Sequence, residues 1–261
     1  MHNFNPREEV RADLRGEPRV DDHQVYSPQF RVMNQIHDPG RTEAIQETYR
    51  LLAVAVFAAM AGGWLGSRSP DVIRFFLSVP GLIVAMMALN FIPSMTINVA
   101  RKNPRLGVPY LGLFGLVSGL VLSPLIFFAM IRSGAGVDTP NLVQAALAIT
   151  AFIFLGVSGY VWKSGTRFKA SEGYLSAAFW AITAAVVVNY FFLHSGVMGI
   201  AVSTAIGLFG GVGLVMSTAQ VLNDPEYRDP VVGALCIYAG LFNIFQAVLH
   251  LLLAFGGGRR S

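Results

Sequence analysis

The chain has a single cysteine, Cys236, in 261 residues. One thiol excludes an internal disulfide framework and any zinc site built from cysteines. Histidine is scarce too: of five, only His194 and His250 lie beyond residue 50. A catalytic zinc site takes three protein ligands, so the sequence implies no metal and no other cofactor. The most telling shortage is charge. Charged residues make up 13% of the chain, against the roughly 25% that covers the surface of a soluble domain. With 54% hydrophobic residues, most of the surface has to face lipid. The glycine-rich run at 207–213 lies inside an apolar segment and has no following Lys-Ser/Thr. It is therefore not a phosphate-binding loop, and nothing in the chain supports nucleic-acid binding.

The little charge present is unevenly placed. Residues 1–50 hold nine of the fifteen acids, together with seven arginines and four prolines (Pro6, Pro18, Pro28 and Pro39). Such a polar segment buries too little apolar surface to fold alone, and residues 1–47 read as a mostly disordered cytoplasmic tail. It has no apolar run behind a short basic start, so it does not read as a signal peptide. Its one candidate helix, 41–50, runs into the first apolar segment.

Beyond the tail the chain divides into apolar runs of the length that crosses a bilayer, about 20 residues. Seven are expected, near 49–66, 75–97, 106–131, 141–162, 173–193, 197–221 and 231–255. They form a seven-helix, all-α transmembrane domain over 48–256, followed by a short basic end at 257–261. Polar turns separate them, as at Arg68-Ser69-Pro70-Asp71 and Arg101-Lys102-Asn103-Pro104-Arg105. With seven crossings, fourteen of the nineteen Lys and Arg residues share the side of the N-terminus. The positive-inside rule then places the N-terminus in the cytoplasm and the C-terminus outside. Gly62/Gly66, Gly115/Gly119 and Gly207/Gly211 are small-xxx-small pairs that let helices approach closely. Their plainer role is packing within the bundle; a homodimer seam is the alternative. Pro93 and Pro124 are expected to kink their helices.

No Asp or Glu falls inside any expected span. Buried carboxylates mark proton relays and cation paths, so their absence argues against a proton-coupled pump. The amide and imidazole residues singled out within or beside the spans are Asn90, Asn98, Gln144, Asn189, Gln220, Asn243, Gln246 and His250. Each reads first as a hydrogen-bonding contact between helices, and alternatively as a pore lining. Gly156-Val157-Ser158-Gly159 resembles the nucleophile motif of rhomboid proteases, with His250 the nominal base. It lies late in its helix and lacks polar oxyanion partners, so Ser158 reads as a packing residue and the chain as a non-enzyme.

Four stretches resemble the Bax inhibitor-1 family. In the last span, Tyr238-Ala239-Gly240-Leu241-Phe242-Asn243-Ile244-Phe245 is similar to the family's Tyr-Leu-Asp-Phe-Ile-Asn-Leu-Phe. Val215-Met216-Ser217-Thr218-Ala219-Gln220-Val221-Leu222 is similar to its Leu-Tyr-Asp-Thr-Gln-Arg-Ile-Leu. Thr48-Tyr49-Arg50-Leu51-Leu52-Ala53 and Gly119-Leu120-Val121-Leu122-Ser123-Pro124-Leu125 resemble the entry to its first span and its third span. The resemblance implies a seven-helix bundle whose calcium-leak members close with two aspartates on the last two helices. Ser217 and Gly240 occupy those positions here, and neither can ionise. The pattern is closer to the bacterial branch that modulates the FtsH membrane protease. The implied function is a membrane regulator that binds an AAA+ protease in the bilayer. A pH-insensitive calcium or cation leak, through a hydrated interior, is the alternative. Its candidate interior or gating positions are Ser217, Gln220, Gly240, Asn243, Asn189 and Asn90.

Overall fold

The structure, a computed structural model, describes residues 39–134, 141–165, 172–189, 195–224 and 227–255. The expected tail falls almost entirely outside these residues, as does the basic end at 257–261. Every element among the described residues is helical. They are α1 (Pro39–Ser67), α2 (Pro70–Leu77), α3 (Val79–Lys102), α4 (Pro104–Ser133), α5 (Leu142–Ser164), α6 (Glu172–Val188), α7 (Gly196–Asn223) and α8 (Pro230–Phe255). Six of them, all but α2 and α6, are long and apolar enough to cross a bilayer.

The boundaries follow the capping chemistry of the turns. Ser69 and Ser78 each cap a helix with their hydroxyls, accepting from Val72 N and Gly81 N. Asn141 Oδ1 accepts from Val143 N and Gln144 N, and Asp229 Oδ1 accepts from Val232 N at 3.2 Å. Pro70, Pro104 and Pro230 take first-turn positions, where no amide hydrogen is needed. α5 ends at Gly165 with φ +59°, a left-handed backbone that glycine adopts freely.

α1 begins at Pro39 and takes in the helix expected at 41–50, at the end of the segment assigned to the tail. One boundary corrects the sequence reading. The second span does not start at residue 75. Pro80 cannot continue an incoming helix, so α2 stops at Leu77 and α3 begins after the Ser78 cap. The helices run on through Pro93 and Pro124. At Pro124 the carbonyl left without an amide partner is that of Leu120, and Ser123 Oγ donates to it at 2.7 Å.

α8 is the central helix: half of its apolar window is buried, against 11% for α3 and α5. Leu235, Ile237, Tyr238, Ile244 and Leu249 are enclosed by neighbouring helices. The outward surface is apolar, as the charge shortage requires. Phe57, Phe91, Phe152, Leu155 and Leu208 are all more than 60% exposed, an arrangement stable only in lipid. Trp64, with the Arg68 guanidinium 4.2 Å above its ring, and Trp162, beside Lys163, lie near helix ends, as interfacial tryptophans do.

Two glycine seams hold the bundle. A methyl group at Gly62, Gly115 or Gly119 would overlap the backbone of the facing helix at Leu116, Ala55 or Ala59. The first two glycine pairs therefore face each other across α1 and α4. The third pair is half right. Gly207 abuts Ala247 of α8, but Gly211 has nothing within 4 Å; Gly210 makes the close contact instead.

Candidate functional site

The positions where the resembling family carries aspartates come first. Gly240 packs closely against α7. A methyl group there would stand 3.0 Å from the Gly210 carbonyl oxygen and 3.0 Å from Leu214 N. Any side chain at the last-helix aspartate position would thus require the backbone of α7 to give by a few tenths of an ångström. Ser217 is half-buried on α7, and its hydroxyl donates to its own helix at Gly213 O, 2.8 Å away. Gln220 is exposed. The structure does not bring these three into one polar site.

The other candidates lie in the half of the bundle toward α2 and the end of α8. A cavity of about 690 Å³ opens there between α3, α4, α6, α7 and α8, with Phe76 and Leu77 of α2 at its edge. Asn90, near the middle of α3, and Asn243, near the middle of α8, both line it. Asn189 lies at the far end, close to His250 across Gly199, and accepts from Ser195 N at 3.2 Å. Three residues of α8 enter the cavity together: Asn243, Gln246 and His250. Their spacing of three and four residues places them in one stripe about 10 Å long. His250 Nδ1 pairs with the buried Ser203 Oγ of α7 at 2.9 Å. Ser158, the nominal partner in the protease-like motif, is on α5. Its Oγ is buried beside the Tyr49 hydroxyl, outside hydrogen-bonding geometry. Sequence reading missed Ser203 and the grouping with Gln246, although the 243/246/250 spacing already carries that signal.

Two hydrogen-bonded tyrosines fix the helices around this interior. Tyr238 of α8 shares a 2.5 Å hydrogen bond with Ser118 of α4, and its ring meets Phe114 edge-on at 5.5 Å. At the opposite end of α8, Tyr227 pairs with Thr48 of α1 at 2.6 Å and with Asp229 O at 2.8 Å. Burial pushes the Tyr227 hydroxyl up to about 12, against the lowering effect of the Thr48 bond. Both tyrosines use motif residues: Thr48 opens the first family-like stretch, and Tyr238 opens the last.

Six long apolar helices, lipid-facing aromatic side chains and a neutral polar interior define an all-α, multi-pass membrane protein. The model of the family described as inhibitor of apoptosis-promoting Bax1 (Bax1-I) matches residues 41–257, and the chain belongs to that Bax inhibitor-1 family. Among curated relatives, an uncharacterised protein of Campylobacter jejuni is 24% identical over 81% of this chain and 88% of its own length. One of Neisseria meningitidis is 26% identical over 85% and 95%. The Escherichia coli protein named modulator of FtsH protease YccA is 23% identical over 85% and 96%.

Proposed function

We infer that the chain is a non-enzymatic regulator in the bacterial inner membrane, acting by binding an AAA+ protease within the bilayer. The observation that carries this reading is the name of the Escherichia coli relative, which aligns along nearly the whole helical body. A matching protein from a second E. coli strain is named an inner membrane protein. α5 supports the reading, because only 11% of its apolar window is buried and its outward side chains are large. A partner helix has a broad face to meet there.

The proposed topology is seven crossings with the N-terminus in the cytoplasm. α6 has 17 helical residues, about 26 Å at 1.5 Å per residue, slightly short of a hydrocarbon core of about 30 Å. Its crossing is supported by a hydrogen bond from Asn223 Nδ2 to Val161 O at 3.2 Å. That bond joins the C-terminal ends of α5 and α7, which favours a crossing by α6 between them. The orientation rests on the Lys/Arg asymmetry.

The cation-leak reading draws less support. The described polar side chains lining the cavity are neutral amides, hydroxyls and one imidazole, and Gly240 packs against the α7 backbone with no carboxylate. Affinity capture from native membranes tests the regulator reading, with co-purification of the protease as the expected result. Calcium flux into liposomes tests its rival; flux by the purified chain would favour the leak.

A further inference from the structure

The cavity beside α8 combines two properties that no contact within the chain explains. Asn243 and Gln246 are half-buried and have no hydrogen-bond partner among the described residues. Asn90, exposed on α3 where it borders the cavity, commits its Nδ2 to Met86 O, leaving Oδ1 without a described partner. These groups sit near mid-membrane, where an unsatisfied polar group costs several kcal/mol and bulk water is absent. Replacing them with apolar residues of similar shape would remove that cost, so a bundle needing only stability would gain by losing them. Apart from the hydroxyls of Thr183 and Ser203, the rest of the described wall is apolar and aromatic, with Phe114, Phe128, Phe209 and Phe242 around the stripe. The volume, about 690 Å³, is that of a small-molecule site.

We propose that this cavity binds an uncharged amphiphile, with a carbonyl- or hydroxyl-bearing head on the Asn243–Gln246–His250 stripe and an apolar body against the phenylalanines. The chemistry of the lining selects this class. Amides offer both donors and acceptors, so carbonyl and hydroxyl oxygens are both served. Among the described residues the lining carries no Asp, Glu, Lys or Arg, so a charged head would enter a low-dielectric site without a counter-ion. Two natural sources share the required chemistry, a quinone and a neutral glycerolipid. The inference does not depend on the regulator reading.

The test uses the full chain in nanodiscs with four probes. Decyl-ubiquinone and dioctanoylglycerol are uncharged; decanoate and decyltrimethylammonium are charged controls. Saturable binding is read from the rise in melting temperature and from quenching of intrinsic fluorescence. At least one uncharged probe should bind saturably and neither control should, and the probe that binds identifies the source. The variant Asn243→Leu/Gln246→Leu should keep or raise the unliganded melting temperature and bind about tenfold more weakly. Asn90→Leu probes the opposite wall independently of α8 packing and should also weaken binding. No saturable binding by either uncharged probe, equal binding of the charged ones, or unchanged affinity in both variants would overturn the proposal.

Discussion

The Gly240 seam makes a quantitative prediction. Restoring the family's aspartate, Gly240→Asp, forces a side chain against Gly210 O and Leu214 N, each 3.0 Å from the added Cβ. Overpacking of this kind costs about 1–3 kcal/mol. Placing a carboxyl group near a helix centre in the bilayer adds about 2.5–3.5 kcal/mol. The expected loss is therefore about 4–6 kcal/mol, or about 10–20 °C in melting temperature for a chain of this size. Gly240→Ala separates the two costs. It carries the overpacking but regains about 1 kcal/mol of helix propensity, for a net loss of about 0–2 kcal/mol. Gly211→Ala is the control: nothing lies within 4 Å of its added methyl, and it should be neutral or stabilising by up to about 1 kcal/mol. Thermal melts of the three variants in one detergent give the ranking. A Gly240→Asp protein melting within a few degrees of wild type would refute the reasoning, because the seam would then have room for a latch carboxylate.

Other perturbations follow from the same packing. Gly119→Leu drives a side chain into the α1 backbone at Ala59 and Gly63; it should cost at least about 3 kcal/mol and leave little folded protein in membranes, measured by size-exclusion recovery. Ser118→Ala and Tyr238→Phe remove one shared hydrogen bond, and a double-mutant cycle should give a coupling of about 0.6–1.7 kcal/mol; zero coupling would mean that the bond contributes nothing. Tyr227 should ionise near 12 in a tyrosinate absorbance titration. Because its folded value lies above the ordinary tyrosine value of about 10, the linked stability is complete below pH 10 or so and is lost as pH rises through about 12. Tyr227→Phe should flatten that part of the alkaline stability profile.

The membrane class and most helix limits were legible because apolar runs and capping residues are local signals. Ser69, Asn141 and Ser195 sit next to the turns they cap, and the predicted ends of the fourth, sixth and seventh spans fall within two residues of those observed. The α2–α3 break was missed because Val79 and Gly81 around Pro80 read as continuous apolar sequence. Partner choice between helices was only partly legible. Gly210 and Gly211 are equivalent in sequence, and the rotation of α7 against α8 decides which one makes contact. The same rotation leaves Gln220 exposed while Asn243 and Gln246 face the cavity. The Ser203–His250 pair joins residues 47 apart in sequence, a distance at which no local pattern operates.

The central claim is that the chain binds and modulates an AAA+ membrane protease in the bilayer. Its most direct test reconstitutes an FtsH-type protease in proteoliposomes with a membrane substrate and increasing amounts of the purified chain. The account predicts that the two proteins co-purify and that the degradation rate changes saturably with the amount of chain added. An unchanged rate at every ratio, with no co-purification, would contradict it.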